Sequence, residues 1–236
     1  MPRQTFLLAV PLLALCANAQ ADFYSHRYAG VSLTEIDQQG FCSDAEGFVR
    51  GLSSDNWHAS GQGCSEGGDG WKLYGGWRWT PHLAVEAGYQ QLADSKLGFR
   101  LDADQNQYLQ FRDKIRTRLA NAYVVGHWPI AAGFSVFGKV GGGLWWSELS
   151  ERRSGEILFE FEDEEGNREE QLVEINGRIG ASDNGFHWGY GAGISYQHRN
   201  RWSIRAEWES LGDLGSEELR GDYDVEVASL GWSMHF

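Results

Sequence analysis

Segments of this chain alternate between apolar and polar residues with a period of two. In residues 230–236, Leu, Trp, Met and Phe occupy the even positions, and Gly, Ser and His occupy the odd ones. Successive side chains of a β-strand point to opposite faces, so one face of this strand is apolar and the other is small or polar. This alternation, closed by the C-terminal Phe236, is typical of a transmembrane β-barrel strand in the bacterial outer membrane.

Four charged residues strengthen this interpretation. Glu86, Lys139, Arg205 and Glu207 all lie on the parity opposite to the apolar residues of their segments. A charged side chain that faces lipid costs about 2–4 kcal/mol at the bilayer midplane, and a random pattern would place about half of the charges there. The pattern therefore predicts strands with one face toward lipid and the other toward an enclosed lumen, into which these four residues point.

Eight segments alternate in this way. They are 27–36, 70–80, 83–92, a fourth that ends at Trp128, 134–145, 186–196, 202–209 and 230–236. Short turns follow the second, fourth and sixth segments, the fourth-segment turn covering 129–133, and much longer connections follow the others. We expect an all-β fold, an eight-stranded antiparallel up-and-down transmembrane barrel with long external loops and both ends on the periplasmic side. In the fourth strand, either Tyr123 or Val124 faces lipid.

Aromatic residues lie beside the short turns. Trp79, Trp128 and Trp202 flank these turns, and Phe236 ends the chain on the same side. Aromatic girdles mark both interfaces of membrane barrels, so we expect these residues at the periplasmic interface. Phe236 is also the expected signal for recognition by the barrel assembly machinery.

The N-terminus has the pattern of an exported protein. Residues 1–21 contain a basic start, an apolar stretch over 6–16 and two small-residue cleavage motifs. The apolar stretch is shorter than the roughly 20 residues that a membrane-spanning helix requires. We predict a signal peptide over 1–21, cleaved after Ala19 or Ala21, and a barrel domain over 22–236 in the outer membrane of a Gram-negative cell.

Four segments resemble the OmpA-like transmembrane domain, namely 70–89, 134–142, 204–208 and 229–236. The resemblance covers the second to eighth strands and implies a barrel-only member of that family. It also implies that the four inward charges form a bridge across the lumen. Val125 and Ser195 stand where the family carries a lysine and a glutamate, which argues against a gated pore. An eight-stranded barrel is largely filled by its side chains.

Two cysteines remain after removal of the predicted signal peptide. Cys42 and Cys64 both lie in the first external connection. A pair of cysteines in an exported chain predicts a disulfide, which would stabilise the loop by about 3 kcal/mol. His58 lies nearby, but two cysteines and one histidine do not make a metal site, so we predict none.

The third external connection is strongly acidic at 160–165 and 169–170. Apolar residues around it can extend the fifth and sixth strands into a hairpin, with a turn over 165–168. Its carboxylates could bind divalent cations that bridge to lipopolysaccharide phosphates, but a run of like charges is more often a solvated surface.

The function predicted from these features is structural, in envelope integrity, or surface recognition by the external loops. Expected partners are outer-membrane lipid and lipopolysaccharide, with a host-surface or phage ligand at the loops. A narrow ion-conducting pore is the first alternative, and an enzyme that modifies lipid A is the second. No catalytic motif or cofactor site is predicted. The net charge of −13 disfavours nucleic acid as a partner.

Overall fold

The computed structural model describes residues 26–54, 56–131, 133–162, 168–199, 201–216 and 221–236. Ten strands and one helix follow in the order β1 (His26–Gln39), α1 (Phe41–Gly51), β2 (Trp57–Ser65), β3 (Gly67–Arg78), β4 (Leu83–Gln91), β5 (Ser95–Ala103), β6 (Tyr108–Ala131), β7 (Phe134–Glu162), β8 (Arg168–His198), β9 (Trp202–Ser216) and β10 (Gly221–His235). The predicted signal peptide and its cleavage sites lie outside the described residues. In the described part of the chain, no helix is long and apolar enough to cross a membrane.

Eight of the ten strands close into one antiparallel ring. The order around it is β1, β3, β4, β6, β7, β8, β9 and β10, and β10 pairs again with β1. The closing pair stays in register from Tyr28 opposite His235 to Gln39 opposite Asp224. Closure satisfies the backbone of every ring strand by pairing on both sides, which a membrane span requires. The predicted eight-stranded up-and-down barrel is confirmed.

The two faces of the ring follow the period-two alternation. On β10, Leu230 is 63% exposed, whereas Ser233 is buried. On β6, Val124 is 49% exposed and Tyr123 is only 4% exposed, so Val124 is the residue that faces lipid. One parity therefore forms the lipid surface and the other fills the lumen.

The ring strands extend beyond their predicted bounds on the external side. β7 and β8 contain 29 and 31 residues, and they remain paired from Phe134 opposite Tyr196 to Glu162 opposite Arg168. About 9–11 residues of a tilted strand cross the membrane, so much of this hairpin stands above it. The third external connection is therefore mostly β-structure, and residues 165–167 of its predicted turn lie outside the described part.

The first two external connections also fold. β2 pairs with β5, and β5 pairs with the upper part of β6, so the sheet continues sideways out of the ring. Helix α1 packs beside these strands. We call α1, β2, β5 and the adjoining upper part of β6 the external platform. The structure thus adds two strands and one helix to what the sequence predicts.

The turn predicted over 129–133 begins too early. β6 continues through Pro129 to Ala131, and Pro129 lies opposite Ser135 of β7. The register shifts between Pro129 and Ala131. An irregularity at this point accommodates proline, which has no backbone N–H to donate to the ladder. β6 therefore includes most of the predicted turn, and Gly133 lies in a turn just before β7.

Candidate functional site

The lumen contains a network of charged side chains at mid-height, to which β3, β4, β7 and β9 contribute. All of its members are almost completely buried. They are the cations Lys72, Lys139 and Arg205 and the carboxylates Glu86, Glu207 and Glu209. We call these six residues the ion network. Its three positive and three negative charges balance.

Arg205 lies between two carboxylates. Its guanidinium donates two hydrogen bonds to Glu86, with N–O distances of 2.6 Å and 3.0 Å, and it forms an ion pair with Glu207 at 2.9 Å. The ring of Tyr74 lies 3.7 Å from the guanidinium carbon, and the hydroxyl of Tyr28 donates to Glu86 at 3.0 Å. A bidentate pair of this kind is both strong and geometrically specific.

The two lysines occupy the other side of the network. Lys72 contacts Glu207 at 2.8 Å and also pairs with Glu209. Lys139 contacts Glu209 at 2.5 Å and also pairs with Glu207. Every cation thus meets at least two carboxylates, which offsets the desolvation of these buried charges.

The structure brings all four predicted cluster residues together and adds Lys72 and Glu209. Strand parity already indicates that these two face inward, but it does not show which charges meet across the lumen. Val125 is buried among apolar side chains, and Ser195 contacts the hydroxyl of Ser135 at 2.8 Å. The second lysine of the network therefore comes from β3 and not from the strand where the family resemblance places it.

An apolar layer fills the lumen above the ion network. Leu211 lies one inward position beyond Glu209 on β9, and Trp145 lies beyond Lys139 on β7. The buried members of the layer are Ile36, Leu92, Ala93, Leu119, Trp145, Leu211, Leu214, Val225 and Val227. Ions that enter the lumen would have to displace both the paired charges and this buried apolar layer.

The external platform has a separate hydrophobic core. Ala45 and Val49 of α1 pack against Leu97, Phe99 and Leu101 of β5. The rings of Phe99 and Phe111 stack with their centroids 4.7 Å apart. A disulfide joins Cys42 at the start of α1 to Cys64 near the end of β2, with a Cα–Cα distance of 5.8 Å. The helix is therefore held to the sheet both covalently and by packing.

The histidines make local contacts, and the ring of His235 lies 3.0 Å from the hydroxyl of Ser203. His187 is fully buried and its Nε2 lies 2.8 Å from the amide oxygen of Asn121. His82 and His198 lie at the periplasmic turns. In the described ranges, no group of three or more His, Cys, Asp or Glu side chains could hold a metal ion.

The aromatic and terminal residues lie at the end of the barrel that carries the short turns. Trp79 and Trp128 are exposed, and the half-buried ring of Trp202 stacks on His198. Phe236 is 76% exposed. Its backbone N–H donates to the carbonyl of Arg27 at 2.9 Å, so the last residue is still paired with the first strand.

Comparison with known proteins gives the family. The outer membrane protein β-barrel domain matches residues 6–236. Ail, the attachment invasion locus protein of Yersinia pestis, solved with the heparin analogue sucrose octasulfate, is 16% identical over 90% of this chain and 97% of Ail, with a TM-score of 0.41. The N-terminal β-barrel domain of Pseudomonas aeruginosa OprF is 12% identical over 89% of this chain and 97% of that domain, with a TM-score of 0.39.

Neisserial surface protein A is 10% identical over 90% of this chain and 97% of its own, with a TM-score of 0.39. No curated protein sequence matches the chain significantly. The family match extends over nearly the whole sequence and agrees with a closed ring of eight antiparallel strands. The chain therefore belongs to the outer membrane protein β-barrel domain family and is located in the outer membrane.

Proposed function

We propose that this protein is a surface-recognition protein, in which the barrel is the anchor and the external platform is the binding part. The observation that carries the proposal is the second hydrophobic core, which lies outside the ring and is closed by a disulfide. Connections that only join strands need no core of their own. Binding residues, in contrast, are more precisely placed on rigid elements than on mobile loops.

The platform and the β7–β8 hairpin present different surfaces to the outside. Phe48 of α1 is 41% exposed although its ring meets Phe99 edge-on. The hairpin carries exposed aromatic side chains, Phe159 and Phe161, between exposed glutamates. Exposed aromatic residues are frequent anchors of protein interfaces. Both surfaces face the outside, and we propose the platform, which has its own core, as the one that binds a host-surface molecule or a phage protein.

Removing α1 and β2, the outer part of the platform, tests the proposal. Asp37 of β1 lies directly opposite Gly67 of β3, so residues 40–66 can be replaced by a short Gly-Ser turn without altering the ring. As a matched control, the hairpin tip can be shortened between Ile157 and Val173, which are also directly opposite each other. We expect cells with the first variant to lose adhesion to matrix-coated surfaces or infection by a phage. Unchanged adhesion and infection, at equal outer-membrane amounts, would contradict the proposal.

The lumen supports a structural role. Balanced, mutually paired charges and an apolar layer stabilise the barrel and oppose a conducting path. We therefore propose neither an ion channel nor an enzyme as the primary function. Planar-bilayer recordings and an analysis of lipid A from overexpressing cells test these two alternatives. Steady ion currents or modified lipid A would revive one of them.

Phe236 is proposed as the contact for the barrel assembly machinery. Its side chain projects from the end of β10 and is largely exposed. Deletion of Phe236 should lower the amount of folded, heat-modifiable barrel in the outer membrane several-fold, whereas Phe236→Tyr should retain assembly. A normal yield of the deletion variant would exclude this role.

A further inference from the structure

A basic groove lies on the outer surface of the upper β-sheet. Its open volume is about 580 Å³. Six cations line it, Lys96, Arg112, Lys114, Arg116, Arg152 and Arg178, together with two carboxylates, Asp113 and Glu148. The six cations share the even parity of Val124, Val140 and Trp188, which face lipid lower on the same strands. The groove therefore opens sideways, toward the space that surrounds the barrel.

Three arginines form one row across the groove. Arg112 lies directly opposite Arg152, and Arg152 lies directly opposite Arg178. In the neighbouring row, Lys96 lies directly opposite Lys114. Like charges at directly opposed positions destabilise a sheet. Folding alone therefore gives no reason for this arrangement.

The charges of the groove are only partly neutralised. Asp94 contacts Lys114 at 2.7 Å and Arg116 at 3.4 Å. Arg178 donates to the hydroxyl of Ser150. Among the residues that the structure describes, no carboxylate forms an ion pair with Lys96, Arg112, Arg152 or Arg178. The three-arginine row thus presents uncompensated guanidinium groups to a ligand.

The height of the groove indicates where that ligand lies. Ten residues of a tilted strand rise by about 25 Å, which is the height of the apolar band. On β6, Arg118 lies ten residues above Trp128 at the periplasmic interface, so Arg118 marks the upper end of this band. Arg118 lies opposite Trp146, an exposed aromatic residue at the upper edge of the apolar surface. The groove begins directly above this edge, at the level of the polar groups of the outer leaflet.

We propose that the groove binds the phosphate groups of lipopolysaccharide, in the lipid A and adjoining core-sugar region. Phosphate oxygens match the planar guanidinium groups in charge and in hydrogen-bond geometry. A sideways opening at headgroup height favours a molecule of the leaflet over one that arrives from the medium. The inference rests on the placement of the barrel in the membrane. The groove shares β5 and the upper part of β6 with the external platform, but it requires no host or phage ligand.

The test uses the full-length mature protein in detergent micelles with purified rough lipopolysaccharide as the probe. In the variant Arg112→Gln/Arg152→Gln/Arg178→Gln, we expect lipopolysaccharide affinity, measured by native mass spectrometry, to fall about tenfold or more. The variant should fold normally, because it removes like charges that have no carboxylate partner. The matched control Arg50→Gln/Arg168→Gln/Arg201→Gln changes the net charge equally at exposed sites away from the groove and should bind as the wild type does.

Two further probes identify the group that is bound. Dephosphorylated lipopolysaccharide should bind the wild type as weakly as the triple variant binds the intact lipid. The phosphorylated core oligosaccharide without acyl chains should compete poorly. Equal binding of intact and dephosphorylated lipid, equal affinity of wild type and triple variant, or full competition by the soluble oligosaccharide would each overturn the proposal. These binding measurements use no adhesion readout, so their failure is distinguishable from failure of the platform deletion test.

Discussion

The ion network of the lumen and the basic groove of the outer surface use the same kinds of side chain in opposite ways. In the lumen, Arg205 meets Glu86 and Glu207 at 2.6–3.0 Å, and the charges of the network balance. On the outer surface, Arg112 and Arg152 are directly opposed without a carboxylate partner. Both sets of residues lie on the same ring of strands, one set on its inner face and the other on its outer face.

The difference follows from solvent access. A charge in the lumen loses its hydration, so it is tolerated only beside a partner of opposite sign. A charge on the exposed upper surface keeps its water, and the repulsion between neighbours is weakened by solvent and salt. Uncompensated charges can therefore persist only on the outside, where they remain available to an anionic ligand.

Removal of Arg205 should give the largest difference in stability between the lumen and the outer surface. Arg205→Ala leaves Glu86 without its bidentate partner in the lumen, which should cost about 3 kcal/mol or more of stability. Arg152→Ala on the outer surface is the matched control and should change stability by less than about 0.5 kcal/mol. Urea unfolding of the refolded barrels in lipid vesicles measures both values. A stable Arg205→Ala barrel that conducts ions would instead identify the network as a gate.

A double substitution tests whether charge pairing accounts for the stability that Arg205 contributes. Arg205→Met combined with Glu86→Gln removes the charges of the pair together and should recover about half or more of the stability lost in Arg205→Met alone. The recovery arises because no buried carboxylate is left without its partner. Equal losses in the single and double variants would show that side-chain packing, and not charge pairing, governs this site.

The disulfide should stabilise the platform and not the barrel, because it joins α1 to β2. Cys42→Ser/Cys64→Ser should weaken the platform locally by about 3 kcal/mol and leave the heat-modifiable barrel intact. Hydrogen exchange should accelerate over 41–65 and remain slow in β9 and β10. In wild-type protein taken from the envelope, non-reducing mass spectrometry should detect the linked peptides. Two alkylatable thiols there, or loss of the folded ring in the variant, would contradict this expectation.

Asp94 gives the smallest expected effect. Burial raises its pKa, but hydrogen bonds and charges from Lys114 and Arg116 outweigh burial and hold the pKa below the usual range. Asp94→Asn releases both cations and should strengthen lipopolysaccharide binding about twofold. Weaker binding in the variant at neutral pH would show that Asp94 positions the cations and does not compete with the phosphates.

The pH dependence of this effect follows from the lowered pKa. The contribution of Asp94 to stability is present above the pKa of the unfolded chain and is lost as the pH falls through the lower pKa of the folded protein. Wild type and Asp94→Asn should therefore differ at neutral pH and converge only in acid below the usual carboxylate range. Titration of binding for the two proteins in parallel measures this convergence.

Much of the barrel can be predicted from the sequence because the alternation of side chains is local. Each residue of a strand has a parity that its neighbours reveal, so the lumen positions of Glu86 and Lys139 follow from short segments. The same parity places Lys72 on the inner face. It does not reveal that Lys72 reaches Glu207 and Glu209, because contacts across the lumen depend on the stagger of all eight strands.

The tertiary structure alone decided the rest. The sequence by itself determined two faces, eight ring strands, a pair of cysteines and an acidic hairpin, since these depend on period, turn length and composition. Arg112, Arg152 and Arg178 are far apart in the sequence, and only the register of β6, β7 and β8 aligns them in one row. Likewise, β2 and β5 become strands because β6 extends above the membrane and offers an edge to pair with. Register is a non-local property, so the three-arginine row appears only once the strands are paired.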